Sequence, residues 1–124
     1  RGVPSCLVAM KMMLTTDPES REELLNEGAL MGAFNHFNII NVIGVVTIPK
    51  DLPAILLMEY CEHGSLLLYL AESDAAAEAT IVDLMTFCSD VAAGLTYLHR
   101  MRFVHRDIAA RNVLIDSAIH CKIS

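Results

Sequence analysis

"VHRDIAARNVLI", Val104 to Ile115, places a histidine, two arginines, an aspartate and an asparagine within eight residues of an otherwise apolar stretch. A short buried segment avoids such side chains, because a polar group taken from water without a partner costs free energy. These groups therefore either satisfy one another or are held to act on something else. On the first reading, Asp107 and Asn112 close local Asx turns and His105 is a hydrogen-bonded core imidazole. On the second, the loop is a reaction site.

Working outward, "NVLI" and "IHCKI" flank "DSA" and read as a short hairpin. Upstream, "TIVDLMTFCSDVAAGLTYLHRM" carries helical spacing, with Leu84, Phe87, Val91, Leu95 and Leu98 on one stripe. A polar connector, "DAAAEA" (Asp74 to Ala79), separates it from a shorter helical stretch, "LLLYLAES". Before "EHGS" the character is different. "NIINVIGVVTI" (Asn38 to Ile48) and "PAILLMEYC" (Pro53 to Cys61), broken by "PKDLP", predict two antiparallel strands and their turn. "CLVAMKMML", Cys6 to Leu14, reads as a buried strand. "TTDPES" then starts a helix that should run to about Phe34: Asp17 can cap it, Pro18 suits its first position, and Glu19, Glu22 and Glu23 complement the positive dipole end. A sheet-rich first half joined through Gly64 to a helical second half is an α+β arrangement, with a cleft expected at the junction.

The totals set limits. The 124 residues match one domain or part of a larger one, and no composition shift divides them. The hydrophobic share of 54% exceeds the about 45–50% usual for soluble domains. That is more apolar surface than so small a domain easily buries, which points to missing partners or missing chain. A net charge of −6 gives no footprint for nucleic acid or an anionic membrane. Cys6, Cys61, Cys88 and Cys121 form no C-x-x-C pair, so neither a zinc site nor a disulfide framework is indicated, and a reducing compartment is the simpler expectation. No apolar run approaches the roughly 18 residues of a bilayer span and "RGVPSC" lacks a signal peptide's long apolar stretch, so no membrane contact is expected within this segment.

Two charges sit at apolar positions. Strand alternation groups Lys11 with Leu7, Ala9 and Met13, and helical spacing groups Glu27 with Leu24, Met31 and Phe34. A buried lysine needs an anion and a buried glutamate a cation, since breaking a buried pair costs roughly 3–5 kcal/mol. Lys11 and Glu27 are therefore expected to face each other. The alternative is a lysine that snorkels to the sheet edge and a glutamate in the solvated acidic set of Glu22 and Glu23.

With these residues in view, the sequence resembles the eukaryotic protein kinases, and more closely their tyrosine-specific branch. "VAMK" (Val8 to Lys11) looks like the V-A-I-K strand, "LLNEGALM" (Leu24 to Met31) like the helix carrying the lysine's partner, and "HRDIAARN" (His105 to Asn112) like the H-R-D-x-x-x-x-N catalytic loop. The resemblance implies a protein-kinase-like two-lobed fold, present in part: N-lobe strands and helix C over 1–57, a hinge over 58–64, and the first C-lobe helices, catalytic loop and hairpin over 65–124. It implies MgATP as cofactor, with ATP and Mg2+ serving phosphoryl transfer to tyrosine-containing proteins, in the cytoplasm or the cytoplasmic domain of a plasma-membrane receptor. Dimerisation of a receptor parent stays open.

Residue by residue, the resemblance makes Asp107 the group that orients the substrate hydroxyl and Asn112 a hard-oxygen ligand for magnesium. Lys11 would hold the ATP α/β phosphates with Glu27 fixing its direction. Met58 looks like the gatekeeper, Glu59 and Cys61 supply hinge backbone groups to adenine, and Ala9 and Leu114 sandwich its ring. His105 is a scaffold residue, and Arg106 pairs with a phosphorylated activation loop. Met31, Val42 and His105 fit an internal apolar spine that ordinary core packing describes equally well. Tyrosine specificity rests on "IAAR": serine/threonine kinases usually carry lysine where this chain has Ala109, and Arg111 returns a positive charge for a deeper phenol. Leu68 departs from the polar ribose contact usual there.

The glycine-rich loop and the D-F-G triplet of the family fall outside these 124 residues, so the isolated chain is expected to be inactive. A small-molecule phosphotransferase of kinase-like fold is a second reading, opposed by "AAR" and "MEYCEHGSL". A pseudokinase or interaction fragment is a third, resting on the truncation alone.

Overall fold

Asp17 begins the first helix as its chemistry requires: its carboxylate accepts the Ser20 N–H at 2.8 Å, Pro18 occupies the first turn without needing a donor, and Glu19 faces the dipole. The computed structural model describes residues 5–13, 16–47, 49, 51–72 and 79–124. The expected connector from Asp74 to Glu78, Lys50 in the expected turn, and Leu14 at the end of the expected first strand lie outside the described residues. The chain divides into two units, one of residues 1–35 and 41–60, the other of residues 36–40 and 61–124.

In the first unit, β1 (Val8–Met12), β2 (Val42–Val46) and β3 (Ile55–Glu59) form an antiparallel sheet in the order β1-β3-β2. Helix α1 (Pro18–Gly32) ends two residues before the Phe34 expected from spacing, capped at Ala33. Leu24, Ala54 and Leu56 form the core, with Met13, Leu25, Val42 and Met58 packed against it. Gly28 sets the distance between helix and sheet, since a Cβ there would stand 2.8 Å from Leu56 Cδ1 and 3.2 Å from Val45 Cγ2. Arg21 braces the sheet's far end, donating to the Leu52 carbonyl at 2.9 Å and to the Thr47 carbonyl.

The second unit is built on α2 (Leu66–Ala71), α3 (Ile81–Arg100), a 3-10 turn (Ala110–Asn112) and the hairpin of β4 (Val113–Ile115) and β5 (Cys121–Ile123). Ser65 caps α2 through the Leu68 N–H. Thr80 and Asp83 start α3 as a capping box, each side chain accepting the other's backbone N–H. Hydrogen bonds from the Thr80 hydroxyl and backbone hold the Asp83 carboxyl below its ordinary value. Phe87, Val113, Ile115 and Cys121 form the core, joined by Leu66, Tyr69, Val91 and Ile119. Cys121 is wholly buried, its N–H donates to Asp90 at 2.9 Å, and burial, with Asp90 and Asp116 adding to it, pushes its thiol up to about 12.

Three sequence expectations are corrected here. The apolar stretch from Asn38 to Ile48 is not one strand: β2 starts at Val42, while Ile39 bridges Ile123 and the Asn38 amide donates to the Cys121 carbonyl, so 38–40 belong to the second unit. The buried stripe of α3 is Phe87, Gly94 and Leu98 with Val91 half-buried, whereas Leu84 and Leu95 are exposed. Gly94 faces Asn38 and Ile123 at a distance no side chain permits, and a glycine contributes nothing to a hydropathy pattern. Finally, α3 is long and apolar enough for a bilayer span by length and composition, with mean hydropathy 1.3. Of that helix Phe87, Gly94 and Leu98 are buried inside the unit, 17% of its apolar window, and Asp90 bonds to the hairpin.

Candidate active site

Lys11 and Glu27 meet because of two local facts. The β1–β3 register sets Lys11 opposite Leu56, and Gly28, next to Glu27, lets α1 close onto that same Leu56. The Lys11 ammonium then donates to both Glu27 oxygens, at 2.7 and 2.8 Å. The pairing follows the sequence expectation, but the burial does not: the two side chains are 46% and 38% exposed. Lys11 lies on β1, one of the two outer strands of the sheet among the described residues, and Leu7 on the supposed inner face is also exposed. An ammonium so placed is oriented by its partner and open to an anion.

Along β3, Met58 is half-buried against the Leu24 core and stands opposite Ala9. Glu59 is clamped to Asn41, its N–H donating to the Asn41 carbonyl at 2.9 Å and its carboxylate accepting the Asn41 N–H at 2.7 Å. In the second unit, Cys61 is buried and opens a turn in which its carbonyl accepts the Gly64 N–H, with Gly64 at a φ of 67° that favours glycine. The Gly64 carbonyl takes the Ile115 N–H at 2.8 Å and Ser65 bridges Leu114, so this turn is fastened to β4. Leu68 is exposed on α2.

The polar groups of the loop from His105 to Asn112 satisfy one another and still leave a reactive face. His105 Nδ1 accepts the Asp107 N–H at 3.2 Å, which makes Nε2 the protonated nitrogen and lets it donate to the Ser124 carbonyl at 2.8 Å. Ser124 in turn donates through its N–H and its hydroxyl to the Asn112 carbonyl, at 2.9 and 3.1 Å. Asp107 receives Arg111 on one oxygen at 2.5 Å and the Asn112 amide on the other at 2.8 Å. A further bond joins that amide to the Asp107 carbonyl. The Asp107 side chain is 60% exposed, so a carboxylate aimed by two donors still meets solvent.

Both Asn112 side-chain bonds use its nitrogen, and among the described residues its oxygen accepts none. That leaves a hard oxygen of the kind magnesium takes. No group of three or more His, Cys, Asp or Glu able to hold a metal occurs among the described residues. Magnesium does not require one, as it takes one or two protein oxygens and completes its shell with phosphate and water.

Among the sequence-identified residues, Lys11 and Glu27 are thus brought together in the first unit, and His105, Asp107, Arg111 and Asn112 in the second. Arg106, exposed and at a φ of 70°, stands beside them. Sequence reasoning missed Ser124, which ties His105 to Asn112, and Gly28, which sets Glu27's reach. Ser124 carried no signal, but a glycine inside an amphipathic helix invites the question of what lies against it.

The chain matches a family model described as protein tyrosine and serine/threonine kinase over residues 3–124. It is 40% identical to the rat (Rattus norvegicus) ephrin type-A receptor 5 over 124 residues, all of this chain and 12% of that protein. It is 42% identical to the mouse (Mus musculus) ephrin type-A receptor 8 and 39% identical to the chicken (Gallus gallus) ephrin type-B receptor 2, again spanning 12% of each. A lysine–glutamate pair between strand and helix and an Asp/Asn couple on a histidine-anchored loop agree with that match over nearly the whole chain, which shows that the chain belongs to the protein tyrosine and serine/threonine kinase family.

Proposed function

We propose that the protein containing this chain transfers the γ-phosphoryl group of ATP to tyrosine hydroxyls of proteins. The observation that carries the reading is Asp107, oriented by Arg111 and Asn112 and open on its remaining side. In such a transfer the protein makes little covalent chemistry: it aims the nucleophile and stabilises charge. Asp107 accepts the hydrogen bond of the substrate phenol and takes its proton as the bond to phosphorus forms. Arg111 sits beside that carboxylate, holds its direction and presents positive charge to the incoming ring. Lys11, directed by Glu27, holds the α/β phosphates, and Asn112 offers its side-chain oxygen to Mg2+. When bound, MgATP supplies the phosphoryl group and the metal's neutralisation of its oxygens.

The kinase resemblance assigns Ala9, Met58, Leu114 and the backbone groups of Glu59 and Cys61 to the nucleotide base. His105 holds the loop in shape, and Arg106 is assigned to a phosphorylated regulatory segment. Three relatives bear the name of receptors, which supports a kinase domain on the cytoplasmic face of a plasma-membrane receptor.

The test is a kinase assay of the whole protein with paired peptides that differ only in carrying tyrosine or serine. Tyrosine phosphorylation is expected, with Asp107→Asn lowering kcat by roughly 10²–10⁴-fold. Equal turnover of the serine peptide, or full activity in Asp107→Asn, would overturn the reading.

A further inference from the structure

In a chain of net charge −6, the end of α3 is a local exception. Four of the nine lysines and arginines, Arg100, Arg102, Arg106 and Arg111, fall within twelve residues, and Asp107 is the sole acid between residues 91 and 115. Four other described cations are engaged, Lys11 with Glu27, Arg21 with two carbonyls, Arg111 with Asp107, and Lys122 with the Phe37 carbonyl and ring, while Arg106 shares the exposed state of Arg100 and Arg102. The Arg100 and Arg102 side chains are exposed and make no ion pair or hydrogen bond among the described residues.

Helix-end electrostatics account for His99 and Arg100, which complement the negative end of the dipole. They do not account for Arg102, which follows the end of the helix at a φ of 55°, in the left-handed region that disfavours a residue with a side chain. Three backbone hydrogen bonds fix that turn: Met101 N–H to the Tyr97 carbonyl, Arg102 N–H to that of His99, and Phe103 N–H to that of Leu98, at 2.9 to 3.0 Å. The same turn encloses a depression of about 560 Å³ lined by His99, Arg100, Arg102, Phe103 and Val104. Two guanidinium forks, an imidazole and two apolar residues therefore share one concave surface.

We propose that this depression binds a phosphotyrosine side chain on a peptide. Guanidinium forks pair bidentately with phosphate oxygens, and Phe103 and Val104 give the phenyl ring an apolar wall. An aryl phosphate uses both features; phosphate alone uses only the first. The site differs from Arg106 and from the Asp107 loop, and it needs binding only, so it goes beyond the kinase reading without depending on it.

The experiment is fluorescence anisotropy of a labelled phosphotyrosine peptide titrated with the chain, with its R100A/R102A variant and with R21A, which removes a cation of the first unit. The phosphopeptide is expected to bind and its unphosphorylated form not to. R100A/R102A should weaken binding about tenfold or more, whereas R21A should leave it unchanged. Arg100 and Arg102 are exposed, and circular-dichroism melts of each variant establish that the fold is kept. On the unaltered chain, phenyl phosphate should displace the peptide at lower concentration than inorganic phosphate. The proposal is overturned by equal affinity in R100A/R102A, by an equal loss in a folded R21A, by equal displacement by the two phosphates, or by tighter binding to phosphatidylserine vesicles than to the peptide. A protein that binds the phosphopeptide here yet phosphorylates no tyrosine refutes the kinase reading and leaves this site standing.

Discussion

Lys11 and Glu27 form an ion pair whose weight in folding and whose proposed part in ATP binding can be measured apart. With both side chains well exposed, solvent screens their attraction, and such pairs contribute only about 0–1 kcal/mol. Glu27→Gln should therefore leave the melting temperature nearly unchanged. It releases the ammonium from a two-oxygen clamp, so ATP should bind more weakly and KM for ATP should rise. A thermal melt and a steady-state titration on the same variant separate the two effects. A stability loss as large as that of a buried pair would show that the carboxylate acts in the core.

At the scale of elements, α3 offers a test at each end. Thr80 holds the Asp83 carboxyl below its ordinary value of 3.8, so this cap is in place above that value and is lost as pH falls through the lower folded value. An acid titration followed by helix signal should show a steeper decline for the natural chain than for Asp83→Asn, which cannot titrate. Near the other end, Gly94→Ala improves intrinsic helix propensity by about 1 kcal/mol. Its new methyl would meet the Asn38 carbonyl at 2.8 Å and Ile123 at 2.9 Å, and such overpacking costs about 1–3 kcal/mol. Net destabilisation is expected, measured as a lower urea midpoint. Raised stability would mean that Asn38 and Ile123 yield freely.

Across the whole chain, features stated by strong local chemistry were readable before any coordinates. Asp17 and Pro18 announce α1, the Asp107–Asn112 spacing announces the loop, and Lys11 and Glu27 announce each other by sitting where charge is out of place. Features that depend on what lies opposite were not readable. The exposure of Lys11 goes with β1 having one paired strand, β3, among the described residues, which alternation within one segment does not encode. The stripe of α3 turned on Gly94, whose role is to be absent, and the split after Ile40 turned on a bridge to Ile123, distant in sequence.

Cys121 turns the second unit's core into a chemical timer. Its sulfur reacts with alkylating reagents only as thiolate, which burial suppresses up to about pH 12, whereas Cys6 and Cys88 are open to solvent. A thiol whose folded value is raised stabilises below its unfolded value near 9 and loses that contribution as pH rises towards 12, so the urea midpoint should decline over this alkaline window. At neutral pH, iodoacetamide should tag the two outer cysteines within minutes and Cys121 only as fast as the hairpin detaches from α3. Mass spectrometry of that tag would time the opening of the platform on which Asp107 and Asn112 stand, and early labelling at Cys121 would mean that the platform is loose.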